Sequence, residues 1–299
     1  MNLNGVEIED TFAEAFPMQG TRIVITADEM QWARTAAAAM TGFATSVIGC
    51  GCEGGIEREL DESLTPDGRP GVAVLLFGMS VEDLGKQLLN RVGQCVLTCV
   101  GTACFAGIDE GKKLPLGKGL RYFGDGFQIS KRLGDRRIWR VPVMDGEFVC
   151  DEVTAAVPSV GGGNFLILAT SPATARRGAE AAIAAMRGLP NVIMPFPGGV
   201  VRSGSKVGSK YKALMASTND SYCPTLKGQS PRSALPPEVE SVLEIVIDGL
   251  SEADVANATA VGVRAVCEIG RRGGIVRITA GNYGGQLGPY HFHLHKVLA

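Results

Sequence analysis

Nowhere in the 299 residues does an apolar run reach the roughly 18 positions that a membrane-spanning helix needs, so no transmembrane segment is expected. No block of about five or six like charges occurs. The formal net charge of −2 argues against a broad nucleic-acid footprint. No G-x-G-x-x-G follows an expected strand, and no G-x4-GK[ST] P-loop is present, so nucleotide binding has no motif. No Ser-His-Asp set stands out. The first residues, Met1-Asn2-Leu3-Asn4-Gly5-Val6-Glu7, are acidic where a signal peptide is basic. The expectation is a cytoplasmic protein whose eight cysteines are thiols.

What remains is a chain built for a large core. Hydrophobic residues make up 45% and charged residues 20%, enough for one large domain or two ordinary lobes. Forty glycines imply many tight turns or close backbone approaches. Strands are expected at 22–26, Ser46-Val47-Ile48, Val72–Phe77 and Cys95-Val96-Leu97-Thr98. Helices are expected from Asp28 to Met40 and from the Ser80 cap to about Arg91. The order is βαββαβ.

The second half repeats it. Residues 164–169 read as a strand, Ser171-Pro172 starts a helix to about Arg187, and Asn191–Met194 is a strand. Ser241–Gly249 is a further strand, Ser251 caps a helix to about Val266, and Gly274–Ile278 closes the unit. Gly78-Met79-Ser80-Val81-Glu82-Asp83-Leu84 matches Gly249-Leu250-Ser251-Glu252-Ala253-Asp254-Val255. Each is a strand end, a Ser cap and an acid three residues on. The expected fold class is therefore α+β: two ferredoxin-like α/β sandwich lobes with mainly antiparallel sheets flanked by helices. The expected lobes are residues 1–150 and 151–299. Residues 100–160 fit neither repeat well, and a hairpin pair is expected there, Tyr122–Phe127 with Arg137–Val143.

In Ser241–Gly249, period two puts Leu243, Ile245 and Ile247 on one face and Val242, Glu244, Val246 and Asp248 on the other. Asp248, at the strand end, is cheap to solvate. Glu244 lies between two valines. If dry, its carboxyl would hold its proton near neutral pH and serve as a general acid. If the face is wet, it is a solvated sheet residue, the commoner case.

Residues 194–212 hold two prolines, four glycines and four basic residues. Their exposed amides, with Lys206, Lys210 and Lys212, could hold phosphate or carboxylate groups; a flexible solvated loop is the alternative. Gly281-Asn282-Tyr283-Gly284-Gly285 and Gly161-Gly162-Gly163-Asn164 are two further glycine-rich loops, together suggesting backbone packed close to a flat ligand. Cys50-Gly51-Cys52 and Cys95, Cys99 and Cys104 match no common metal spacing, so the cysteines read as small hydrophobes. His291, His293 and His295 would share one face of a terminal strand. Three imidazoles can bind zinc, but no carboxylate lies nearby in sequence, and a wet strand face is the simpler reading.

Several long strings resemble formylmethanofuran–tetrahydromethanopterin formyltransferases. They are Gly5–Pro17, Thr65–Gly71, Gly93–Cys99, Pro195–Gly199, Ser203–Lys206, Cys223–Lys227, Glu244–Gly249 and Thr279–Gly285, and the resemblance they carry extends over nearly the whole length. The resemblance implies a two-lobed subunit in a homotetramer. It implies formyl transfer, without a metal, between the amine of methanofuran or an analogue and a ring nitrogen of tetrahydromethanopterin. These are co-substrates; no tightly bound cofactor is implied. The family's catalytic carboxyl falls on Glu244. Expected around it are Phe196, Gly198, Gly199, Ser203, Ser205, Lys206, Lys210, Asn282 and Tyr283. Amides of Gly198-Gly199 or the Asn282 side chain would serve the oxyanion.

The near-neutral, alanine- and arginine-rich composition departs from the strongly acidic archaeal members and is similar to bacterial methylotroph forms. There the family member belongs to a formyltransferase/hydrolase complex that runs toward formate in formaldehyde oxidation. Hydrolase subunits are then expected partners. A non-catalytic pterin-binding subunit is the alternative.

Overall fold

The chain opens with two short strands, β1 (Asn2–Leu3) and β2 (Val6–Ile8), and then a long one, β3 (Phe12–Thr26). The computed structural model describes residues 1–299. Helix α1 (Met30–Thr41) buries Ala33, Ala36, Ala37 and Met40, a stripe at helical spacing that lets it lie close on the sheet. Next comes α2 (Val47–Cys50), where a strand was expected. Ser46 caps this turn by accepting the Ile48 N–H, and Gly51, at φ 74°, ends it. Cap and glycine override the β propensity of Val47 and Ile48.

The strand comes later, as β4 (Glu53–Leu60), paired with β5 (Gly71–Gly78), which is buried at all eight positions. Ser80 caps α3 (Val81–Arg91) through the Asp83 N–H at 3.0 Å. This helix runs on into a π-type turn over Val92–Val96, so the expected strand at Cys95–Thr98 is absent. Val92 and Val96 are buried there, at a helical spacing that a short apolar run cannot distinguish from a strand. The strand is β6 (Ala103–Ala106) instead. Then come β7 (Lys112–Pro115), α4 (Gly117–Leu120), β8 (Ile129–Leu133), β9 (Arg136–Val143) and β10 (Gly146–Asp151). Of the expected hairpin pair, Arg137–Val143 falls in β9, paired with β8, whereas Tyr122–Phe127 is a 3-10 turn and loop.

Strand β11 (Val153–Ala169) is the longest. Gly161-Gly162-Gly163, expected as a loop, lies inside it at a bulge between Val160 and Gly163. A Cβ at Gly163 would stand 2.4 Å from the Val255 side chain, so the helix above can approach only a glycine. The order continues with α5 (Pro172–Met186), β12 (Val192–Ile193), a ribbon of β13 (Lys206–Val207) and β14 (Ala216–Ser217), and β15 (Ser241–Gly249). It ends with α6 (Glu252–Ile269), β16 (Ile275–Thr279), β17 (Tyr290–His293) and α7 (Leu294–Val297). No helix is long and apolar enough to cross a membrane.

The result is a mixed α/β fold with a large, mostly antiparallel sheet. Only β6–β10 and β2–β16 pair in parallel. Strands β3 and β11 run antiparallel at its centre, from Val157 opposite Gly20 to Gly161 opposite Phe16. Beyond that overlap β3 pairs with β5 and β6, and β11 with β15 and β16. The βαββαβ order is present twice, as β3-α1-β4-β5-α3-β6 and β11-α5-β12-β15-α6-β16. Two cores result. One gathers α1 and α3 against β3 and β5; the other gathers α5 and α6 against β11 and β15, joined by Val6, Ile8, Ala13 and Ala15.

Candidate active site

Ile245 and Ile247 of β15 are buried under α5 and α6. The opposite face is covered by residues 194–240, a long excursion with little regular structure. Tyr222, Leu235 and Val239 from it pack on Leu166, Leu168, Val242 and Val276. The excursion is also tied to the sheet edge: Val201 donates its N–H to the Glu244 carbonyl at 2.8 Å and accepts the Glu244 N–H at 2.9 Å. Glu244 therefore sits under a roof that sequence pattern alone does not show. It is half-buried and faces Leu166 of β11, which is itself opposite Thr279 of β16. Lost hydration, with no compensating partner, lifts its carboxyl to about 7.

A mainly polar cleft of about 320 Å³ opens in front of this carboxyl. Among the anticipated residues, Ser205, Lys206, Asn282 and Tyr283 line it with Glu244. Burial raises the Tyr283 phenol, partly offset by the Ser205 hydroxyl; the nearby Glu244 carboxyl raises it further. The phenol is thus a neutral donor beside Glu244. Its ring leans on Phe16, centroids 6.2 Å apart. Asn282 is engaged: its amide donates to Thr11 Oγ1 and to the Phe12 carbonyl, both at 3.2 Å. Lys206 is also engaged, paired with Asp220, which Arg232 and Ser230 hold as well. These three partners, Lys206 first, keep Asp220 below the usual carboxylate range.

Other anticipated residues are elsewhere. Phe196, Gly198 and Gly199 line a different cavity, of about 800 Å³, between β4, β12 and the ends of α1 and α5. The Gly199 N–H already donates to the Phe196 carbonyl at 2.7 Å, and the turn lines this other cavity rather than the Glu244 cleft. Ser203 and Lys210 are exposed and do not line the cleft. The excursion joins the sheet edge beside Glu244 only at Val201, whereas Met194 and Val200 before it pack on the core under α5 and α6.

The cleft also holds residues that sequence reasoning missed: Asn164, Glu9, Thr11, Asn219, Ser221 and Tyr222. Asn164 is buried in β11, accepts the Gly281 N–H at 2.6 Å and donates to the Gly281 carbonyl at 3.1 Å. An asparagine at the inner end of a glycine run was the available signal.

Two further expectations change. Asp248 is fully buried rather than solvated at the strand end. It accepts the Gly162 N–H at 2.9 Å, and its Oδ2 finds no partner other than the Glu53 carboxyl beside it. Burial first, and each other's charge next, hold Asp248 well above the usual range, and burial raises Glu53 as well. The histidines do not share a strand face. His291 and His293 lie on β17, but His295 turns off into α7, where its Nε2 meets the Ile8 carbonyl at 2.9 Å.

Known proteins share this arrangement along the whole chain. The family model for formylmethanofuran–tetrahydromethanopterin formyltransferase matches residues 1–143, and a model for the proximal lobe of that enzyme matches residues 146–297. The formylmethanofuran–tetrahydromethanopterin formyltransferase of Methylococcus capsulatus is 66% identical over 299 residues, covering 100% of both chains. Among solved structures, a chain of the formyltransferase/hydrolase complex from Methylorubrum extorquens, determined with methylofuran, superposes with a TM-score of 0.97. It is 57% identical and the match covers 100% of this chain and 99% of that one. The formyltransferase from Methanosarcina barkeri gives a TM-score of 0.94 at 46% identity, covering 99% and 100%.

Proposed function

The chain belongs to the formylmethanofuran–tetrahydromethanopterin formyltransferase family and is a formyltransferase, and from that premise we propose that Glu244 is the acid/base of its transfer step. The observation that supports this most is a carboxyl at about 7 facing an open cleft. The substrates are a formylated furan amine of the methanofuran class and tetrahydromethanopterin.

In the step, a nitrogen lone pair of one substrate adds to the formyl carbon of the other, giving a tetrahedral adduct with a developing oxyanion. The neutral Tyr283 phenol is the side-chain donor beside Glu244 and is suited to that oxygen. Protonated Glu244 gives its proton to the departing nitrogen as the C–N bond breaks. It then recovers one from the newly acylated nitrogen, so the enzyme ends as it began. Ser205 orients the phenol, and Asn164 and Asn282 fix the Gly281 loop that carries it. Lys206 holds the roof through Asp220 rather than a substrate charge.

We assign the two repeats to two ferredoxin-like lobes meeting near residue 150, with the first strands of the chain completing the core of the second. Assembly is proposed as a homotetramer. Strand β8 supports it: this outermost strand is exposed at all five positions, and Tyr122, Phe123, Phe127 and Met144 stand exposed around it. The methylofuran complex of the relative supports a bacterial setting in which hydrolase subunits are partners, flux runs toward formate and formaldehyde oxidation is served.

Glu244→Gln tests the assignment. Turnover should fall by about 10²-fold or more with little change in substrate binding. The group near 7 should vanish from the pH profile of kcat. Undiminished turnover would remove Glu244 from the mechanism. A wild-type protein that binds tetrahydromethanopterin yet transfers no formyl group would make the chain a binding subunit instead.

A further inference from the structure

Glu14 of β3 is a buried carboxylate that accepts four hydrogen bonds, and no side chain supplies any of them. It is 1% exposed. Its Oε2 accepts the N–H groups of Tyr283 at 2.6 Å and Gly285 at 2.9 Å, and its Oε1 those of Leu287 at 2.6 Å and Gly288 at 2.7 Å. Burial alone would raise this carboxyl, but the four amides hold it below the usual range as an anion. The amides converge because Gly284 and Gly285 are left-handed, at φ 74° and 71°, which curls the loop into an anion-binding nest. The charge is thus balanced by peptide dipoles of one loop. That same loop carries Tyr283, which lines the cleft with Ser205 and Glu244. Its Gly281 end is pinned by Asn164, at the back of the same cleft.

We propose that Glu14 is a positioning residue for formyl transfer: by gathering the amides of Tyr283, Gly285, Leu287 and Gly288 it fixes Tyr283 against the Glu244 cleft and keeps water from the Glu244 carboxyl. The inference rests on the assignment of Glu244 as acid/base. Glu14 touches no reacting atom; it acts through the loop. An uncharged replacement accepts fewer of the four N–H groups and offers its own NH2 to donors, so the loop lifts, the phenol drifts and Glu244 becomes hydrated.

Formyl transfer by Glu14→Gln, Gly285→Ala and Glu244→Gln is measured from about pH 5 to about pH 9, with thermal unfolding of each. Gly285→Ala keeps the buried charge and strains only the nest, where the added Cβ would meet the His291 ring at 3.1 Å. Both loop variants are expected to lose kcat by roughly 10- to 100-fold with KM little changed. The pKa governing kcat should fall from about 7 toward the ordinary glutamate range. A purely structural Glu14 would lower the melting temperature yet leave kcat of the folded enzyme and its pH profile as in the wild type, and that result overturns the proposal. If Glu14→Gln does not fold, Gly285→Ala decides alone by the same two readouts. Full turnover in Glu244→Gln would instead strike the acid/base assignment. Loss there, with wild-type kinetics in the loop variants, strikes this inference only.

Discussion

Glu244 is kept in a setting that opposes its own ionisation. Moving a carboxyl from its ordinary range to about 7 corresponds to about 3 kcal/mol against the charged form, reduced by whatever water reaches its open side. Because the folded-state value is raised, the stability linked to this group is complete below the unfolded value. It is lost as pH rises through about 7. Glu244→Gln carries no charge at any pH, so it should melt higher than wild type at about pH 8 and alike at about pH 4, by calorimetry. Equal melting at the higher pH would mean that the carboxyl is hydrated after all. The same residue shows how far sequence reasoning reaches at this scale. Its face followed from the period of a strand. Its dryness did not, because the roof comes from a separate excursion. Glu14 and Asp248 were less legible still. The Tyr283 amide that meets Glu14 is 269 positions away, and the Glu53 that meets Asp248 lies in the other half of the chain.

Among elements, serine caps and apolar stripes made the repeated βαββαβ order readable. Ser80 and Ser251 cap α3 and α6 identically, each accepting the N–H of the acid three residues on, at 3.0 and 3.1 Å. The failures, Ser46–Ile48 and Cys95–Thr98, are short apolar runs whose helical or extended state is set by the neighbouring glycine or helix rather than by their own preference. The excursion over residues 194–240 has no periodicity to read. Its anchor is the Asp220 cluster with Lys206, Ser230 and Arg232. Asp220→Asn removes the charge that two cations share. Limited proteolysis by trypsin at Lys206, Lys210 and Lys212 should then speed up by about tenfold, the equivalent of one charge-assisted hydrogen bond. Unchanged cleavage would show that the apolar contacts of Tyr222, Leu235 and Val239 hold the roof without it.

For the molecule as a whole, composition and repeat indicated a large α/β chain, but not that β3 and β11 would join its two cores through one sheet. The exposed apolar edge at β8 carries the assembly prediction. Phe127→Glu with Ile129→Lys should shift the light-scattering mass from four subunits toward one or two. A full-size particle would place the contacts elsewhere. The two central strands bear on how substrates enter. A 15-residue and a 17-residue strand extend about 50 Å each and cannot bend sharply without breaking their ladders. Val24 and Ile25, near one end of β3, belong to the first half, while Ala13 and Ala15, at the other end, belong to the second core. The halves therefore share one continuous ladder rather than a linker, which restrains movement of one against the other. The Glu244 cleft is already open in front of its carboxyl, so the ladder holds it as a standing groove that substrates reach by diffusion.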